Sequence, residues 1–338
     1  MMKTIFCTVG TSTMEKTRLR NLPWDKYERK NPVYVEPTSD QMKVFTRYNQ
    51  DLLSYRSEDP QRNNMYQKID DKFSHYIQKI VDAYKQQIKQ HSWPNWTAET
   101  WRLMPAEVSS TMAMVDCLVP SAESPFSDVR LVLFVSDTVQ AHLSACVIEK
   151  MFEDIGFRRE NIERVRIERF QMEDIQVFAE EGLPNFIRHL KDRIDVNDTD
   201  NQWLNITGGY KNFIPLVTHI ASFYGLDMYY VFEEAIVKGK DALVKIPRIP
   251  TLNHLLGANE SIVSTILSIL NDIEKGEYGS TPKEVWKNID SILYCDLSLP
   301  SEVAEIFVGF INSFIDVSEG EFKLSTIGRV YMELFKSR

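Results

Sequence analysis

The segment Asn205-Ile206-Thr207-Gly208-Gly209-Tyr210-Lys211 combines an amide, a hydroxyl, two glycines and a cation within seven residues. Adjacent glycines let backbone N–H groups approach an anion closely, and Lys211, where a helix would begin, places a positive charge beside them. The plainer alternative is a surface lysine after a glycine turn. Gly10-Thr11-Ser12-Thr13 and Ser136-Asp137-Thr138 have a related character, with small hydroxyl residues directly after an apolar run. Free N–H groups and the helix dipole at such places favour phosphate or ribose oxygens. Taken singly, each is also what a capped strand-to-helix turn looks like; three together say more than one. None matches GxGxxG, and Gly208-Gly209-Tyr210-Lys211 lacks the GxxxxGK[ST] spacing that wraps a triphosphate, so dinucleotide and ATP sites are disfavoured.

The elements that must position these loops are legible as short apolar runs. Strands are expected over residues 4–9, 131–135, 165–167, 203–206 and 228–232, each apolar enough to be covered on both faces as in a parallel sheet. Helical patterns lie between them at 139–155, 174–193 and 213–224, and alternation of strand and helix predicts a doubly wound α/β domain. The turn Lys238-Gly239-Lys240-Asp241 returns the chain through residues 242–246, giving the sheet an antiparallel end. In such a sheet, ligands collect at the carboxyl ends of the strands near the point where strand order reverses. The three loops fall at those ends.

A polar, aromatic-bearing segment at about 14–105 breaks this rhythm and is read as a helical insertion after the first strand. Helices are expected at 41–56 and 62–91, the second amphipathic through Met65, Ile69, Phe73, Ile77, Ile80, Tyr84 and Ile88. Over residues 14–96 there are 15 Lys+Arg against 11 Asp+Glu, a net of +4. Either this is a solvated helical hairpin whose charges face water, or it is a lid rooted at the first loop, with Lys16, Arg18 and Arg20 as phosphate contacts. Pro247 and Pro250 close the first domain, residues 1–250. Residues 251–338 then show helices at 258–275, from Thr281, at 300–314 and at 326–335, with short strands at 315–317 and 322–324 about a turn at Glu319-Gly320-Glu321. Helices around a two-stranded wing describe a winged-helix-like domain. Its balance over 253–338 is 7 Lys+Arg to 13 Asp+Glu, a net of −6, which disfavours DNA phosphates and suits protein contacts.

The 338 residues are 43% hydrophobic and 26% charged, which excludes collagen-like, disordered and membrane-spanning classes. A formal charge of −9 disfavours a coat for long nucleic acid but leaves room for a local basic pocket. With no stretch long and apolar enough to span a bilayer and no signal-peptide pattern after Met1-Met2-Lys3, a cytoplasmic protein without membrane partners is expected. Cys7, Cys117, Cys146 and Cys295 form no CxxC pair and have no histidine at metal-ligand spacing, so neither a zinc site nor a disulfide framework is expected; they are read as small buried apolar residues, with no metal and no cofactor.

With Val9-Gly10-Thr11-Ser12 at the end of the first strand, Met104-Pro105-Ala106-Glu107-Val108 before the second, Ser136-Asp137-Thr138 after it, and Asn205 through Lys211, the chain resembles the CRISPR-associated Rossmann fold (CARF) family over residues 1–250, apart from the insertion. The C-terminal part, with Leu324-Ser325-Thr326-Ile327-Gly328 at the turn into the last helix, resembles the winged-helix domain that follows CARF in some members. The resemblance implies a homodimer whose paired loops bind one cyclic oligoadenylate, most often the tetra-adenylate made by type III CRISPR complexes. It further implies a ring nuclease that cleaves this messenger without a metal and switches the antiviral signal off. Carried over by position, Lys211 and Ser12 are the catalytic pair, the first stabilising charge on the phosphorane and the second holding the ribose or scissile phosphate. Gly10, Thr11, Thr13, Asn205, Thr207, Gly208, Gly209 and Tyr210 would line the sugar-phosphate ring. Ser136, Asp137 and Thr138 sit where relatives touch the ligand, Asp137 reading adenine or ribose. The alternative is a sensor that binds the ring without cleaving it, its winged helix regulating transcription or recruiting an effector. An appended HEPN ribonuclease is disfavoured, since Arg248 and His254 straddle Pro250 in the linker and no histidine follows, and no HxE with PCxxC of a zinc deaminase is present.

Overall fold

The fold is taken from a computed structural model that describes residues 2–10, 13, 38–54, 60–88, 93–119, 126–170, 175–208, 214–232, 240–246, 268–275, 287, 289, 291, 314–318, 321–325, 328–329 and 332–333. The chain divides into two compact units. One comprises Met1–Gln171 with Ile194–Ile249, the other Met172–Arg193 with Pro250–Arg338.

The first unit is built on six strands: β1 (Lys3–Val9), β2 (Val129–Ser136), β3 (Ile162–Ile167), β4 (Gln202–Asn205), β5 (Asp227–Val231) and β6 (Leu243–Ile246). Their order is β3-β2-β1-β4-β5-β6, with the first five parallel and β6 antiparallel to β5. This is a doubly wound, Rossmann-like sheet. Apolar residues on both faces of β1 and β2 are buried, as an interior strand requires. The order reverses between β1 and β4, which run side by side with Cys7 opposite Asn205.

Among the described residues, the helices before β4 are α1 (Ser39–Ser54), α2 (Pro60–Ile88), α3 (Ala98–Leu103), α4 (Ala106–Leu118) and α5 (Val139–Ile155), then a short helical turn Ile175–Val177 and a π-helical stretch Phe178–Gly182 leading into α6 (Leu183–Lys191), which belongs to the second unit. Between β4 and β5 lies α7 (Ile214–Tyr224). The α5 boundaries follow from local chemistry. Thr138 caps its start, accepting from the Ala141 N–H at 3.2 Å, and Gly156 ends it at φ 126°, a conformation costly for any residue with a Cβ.

Two features depart from the sequence reading. The apolar stripe of the insertion has a partner that the sequence does not name: Met65, Ile69, Phe73, Ile77, Ile80 and Tyr84 of α2 are buried in one continuous core with β1, β2 and α5. The other departure is α4, for which no helix was expected. It packs against β1, β4 and β5 and touches α5, filling the crossover between β1 and β2. Residues Glu107 through Val115 are all buried, so α4 has no polar face and no period to read. The expected helix 174–193 is present but interrupted by the π-helical turn, just ahead of Pro184, which has no N–H to return to the preceding turn.

In the second unit, β7 (Ile315–Ser318) and β8 (Glu321–Leu324) pair antiparallel, with Ser318 opposite Glu321. Ser325 caps the helical turn after the hairpin through its Oγ, which accepts from the Gly328 N–H at 3.1 Å, and a Cβ on Gly328 would collide with the Phe314 carbonyl. Most of the helices expected beyond residue 250 lie outside the described residues. Among the described residues, no helix is long and apolar enough to cross a membrane.

Candidate functional site

The loops after β1, β2 and β4 gather at one end of the sheet, two of them astride the reversal point. Direct bonds tie the loops after β1 and β4. The Thr8 hydroxyl donates to the Gly208 carbonyl at 2.6 Å, and the Gly10 N–H donates to Glu107 Oε1 at 2.8 Å. Glu107 sits in the second position of α4, fully buried, with its carboxylate against Gly208. A Cβ built on Gly208 would lie 2.6 Å from Glu107 Cγ and 2.7 Å from Oε1, so glycine is required there for space alone. Glu107 therefore fixes both glycine loops at once. Burial, followed by the Glu107 charge, pushes the Cys7 thiol and the Tyr84 hydroxyl far above their ordinary pKa values, so both are neutral packing groups.

The side chains expected to line a ligand turn inward. Thr13, Ser136, Asp137, Thr138, Asn205 and Thr207 are each 7% exposed or less. Asn205 Nδ2 donates to the Ser110 and Thr111 hydroxyls at 2.7 and 3.1 Å, pinning α4 to β4, while its Oδ1 accepts from the Thr207 N–H at 3.1 Å. The Thr207 hydroxyl accepts from Val231 N–H at 3.0 Å. Asp137 Oδ2 accepts from the Arg169 N–H at 2.8 Å, holding Arg169 at φ 60°, and the Ser136 and Thr138 hydroxyls face each other at 3.5 Å. These residues shape the loops instead of projecting from them. Gly10 and Gly208 are half-buried, and the Gly10 N–H is occupied by Glu107. Thr11, Ser12, Gly209, Tyr210 and Lys211 lie outside the described residues, as do Lys16, Arg18 and Arg20.

Residues 102–249 match the profile of a family described as CRISPR-associated protein (Cas_APE2256). Over this stretch the chain is similar to CRISPR-associated proteins. The matched segment is under half of the chain, yet it holds Glu107, the Ser136–Thr138 loop and the whole of Asn205 through Lys211. It leaves out the Gly10 loop, the long helices of the insertion and residues 250–338 of the second unit. No curated protein matches the chain.

Residue type alone gives Glu107 no role. The available signal was a single charge among small and apolar residues in Ala106-Glu107-Val108-Ser109-Ser110-Thr111-Met112-Ala113-Met114. An acid in a helix's first turn also answers the free N–H groups there.

A second polar cluster lies where α2 meets α5. His142 Nε2 is 2.7 Å from Asp70 Oδ1, and Cys146 Sγ is 3.5 Å from that oxygen and 3.8 Å from the same ring nitrogen. Arg164 Nη1 donates to Cys146 Sγ at 2.8 Å, and its Nε lies 3.3 Å from Glu149 Oε1. The expectation of no histidine at metal-ligand spacing is corrected by α5, where His142 and Cys146 are one helical turn apart on a single face. All four cysteines are expected to be buried, whereas Cys117 is exposed. Burial pushes the Cys146 thiol up to about 12, against the pull of Arg164, so this is no activated nucleophile.

Proposed function

We propose that the chain is a homodimeric, metal-independent ring nuclease that binds a cyclic oligoadenylate, the tetra-adenylate above all, and opens it to end CRISPR signalling. The observation that carries this reading is the joining of the Gly10 and Gly208 loops by Glu107 and Thr8 at the sheet's reversal point, where a doubly wound fold binds its ligands. The ligand class is what the resemblance to the CARF family implies, and the match over 102–249 supports the CRISPR association alone.

The chemistry asks for positioning. A ribose 2′-oxygen attacks its neighbouring phosphorus in line, the bond from phosphorus to the 5′-oxygen breaks, the 2′-hydroxyl proton is released and the 5′-oxygen takes one up. The products are linear, with a 2′,3′-cyclic phosphate and a 5′-hydroxyl. Holding the attacking and leaving oxygens in line accounts for much of the acceleration. Lys211 is assigned to the charge that grows on the phosphorane and Ser12 to the ribose or scissile phosphate. A two-fold pocket doubles both and leads to cuts at two opposite phosphates.

The test is incubation of pure protein with labelled cyclic tetra-adenylate in EDTA, with separation of the products. Linear di-adenylate ending in a 2′,3′-cyclic phosphate is expected. Tight binding with no product over hours would replace this reading with that of a sensor.

A further inference from the structure

We propose that Asp70, His142 and Cys146 form a binding site for one zinc-type divalent cation, which fastens the inserted helix α2 to α5. One oxygen, one imidazole nitrogen and one sulfur lie within 4.8 Å of one another. Their arrangement is convergent. Asp70 and Cys146 both approach Nε2 of His142, whereas in a proton relay the acid and the nucleophile would take opposite ring nitrogens.

The spacings fit a tetrahedral centre. With metal–sulfur and metal–nitrogen bonds of about 2.3 and 2.05 Å, sulfur and nitrogen, or sulfur and oxygen, would sit about 3.6 Å apart. The corresponding distances are 3.8 and 3.5 Å. Only the 2.7 Å contact between Asp70 and His142 must open, because the cation replaces the shared proton. Mixed oxygen, nitrogen and sulfur donors select zinc over magnesium or calcium. A carboxylate and a thiolate together balance a divalent charge, and Arg164 pairs outward with Glu149 while its N–H supports the sulfur. His142 is 2% exposed and Asp70 38%, so the cation enters past Asp70, which leaves a fourth position for water. The same bonds anchor α5 one turn after the Ser136–Thr138 loop, so occupancy stiffens an edge of the candidate site.

Full-length protein stripped with a chelator and titrated with Co²⁺ tests this by absorption. A thiolate-to-cobalt charge-transfer band and the visible bands of a tetrahedral centre should saturate at one ion per chain. Cys146→Ser should abolish the charge-transfer band, and Asp70→Asn, at the accessible edge, should weaken affinity at least about tenfold. Cys117→Ser should leave the spectrum unchanged. If Cys146→Ser fails to fold, the wild-type band combined with the Asp70→Asn shift still decides the matter. Absence of a charge-transfer band in the wild type, or a band that survives Cys146→Ser, overturns the site and leaves a metal-free hydrogen-bond network. None of these readouts depends on ring cleavage.

Discussion

Gly208→Ala probes the join between the two glycine loops directly. The backbone there is outside the left-handed region, so alanine adds no conformational strain and only a methyl group. That methyl would stand 2.6 Å from Glu107 Cγ, roughly 1 Å inside ordinary carbon–carbon contact. Glu107 is fully buried and has no solvent to swing into. It must retreat by about the same distance, which breaks its 2.8 Å bond from the Gly10 N–H. Overpacking by one methyl costs about 1–3 kcal/mol and loss of a hydrogen bond to a charged group about 1.5–3 kcal/mol. The sum, about 2.5–6 kcal/mol, is a large share of the roughly 5–15 kcal/mol that holds a domain together. Denaturant unfolding, followed by tryptophan fluorescence and by hydrogen exchange at the Gly10 amide, measures the loss in the α/β unit. A second background isolates the cause. In Glu107→Ala the space is open, and the same glycine change should cost under about 1 kcal/mol; in Glu107→Gln, of unchanged size but neutral, the overpacking cost of about 1–3 kcal/mol should return. Equal costs in the alanine and wild-type backgrounds would falsify the packing argument.

The other predictions are more direct. Lys211→Ala should lower the rate of ring opening by orders of magnitude while leaving ring binding measurable; an undiminished single-turnover rate removes Lys211 from its assigned role. Asp137→Ala leaves the Arg169 N–H without its 2.8 Å acceptor at a left-handed backbone position and should cost about 1–3 kcal/mol. An unchanged melting temperature would show that other contacts hold that turn.

Several elements are legible in the residues alone because their information is local. Helix α5 has both ends marked, by the Thr138 cap and by Gly156, and its expected span is the observed one. The apolar strands declare themselves, since interior strands of a parallel sheet need no alternation. The stripe on α2 declares a buried face but not its partner, which the fold shows to be α5 and the sheet. Helix α4 is hidden for the opposite reason: Glu107 through Val115 are covered on every side, so the cue of a polar face is missing. Glu107 and Asp70 share a further obstacle. Each acts on a residue far along the chain, Gly10 at 97 positions' separation and His142 at 72.

The loop types, their glycines and hydroxyls, and the strand–helix rhythm are properties of neighbouring residues, and the sequence determines them. Which loops meet is decided by the order in which strands pair. Because β1 lies between β2 and β4, Thr8 bonds to Gly208 across 200 positions of sequence. The same pairing turns the side chains of Asn205, Thr207 and Asp137 into internal braces, since a buried polar group must find its partner within the protein. Residue type marked those positions as polar; tertiary packing decided that they support the loops.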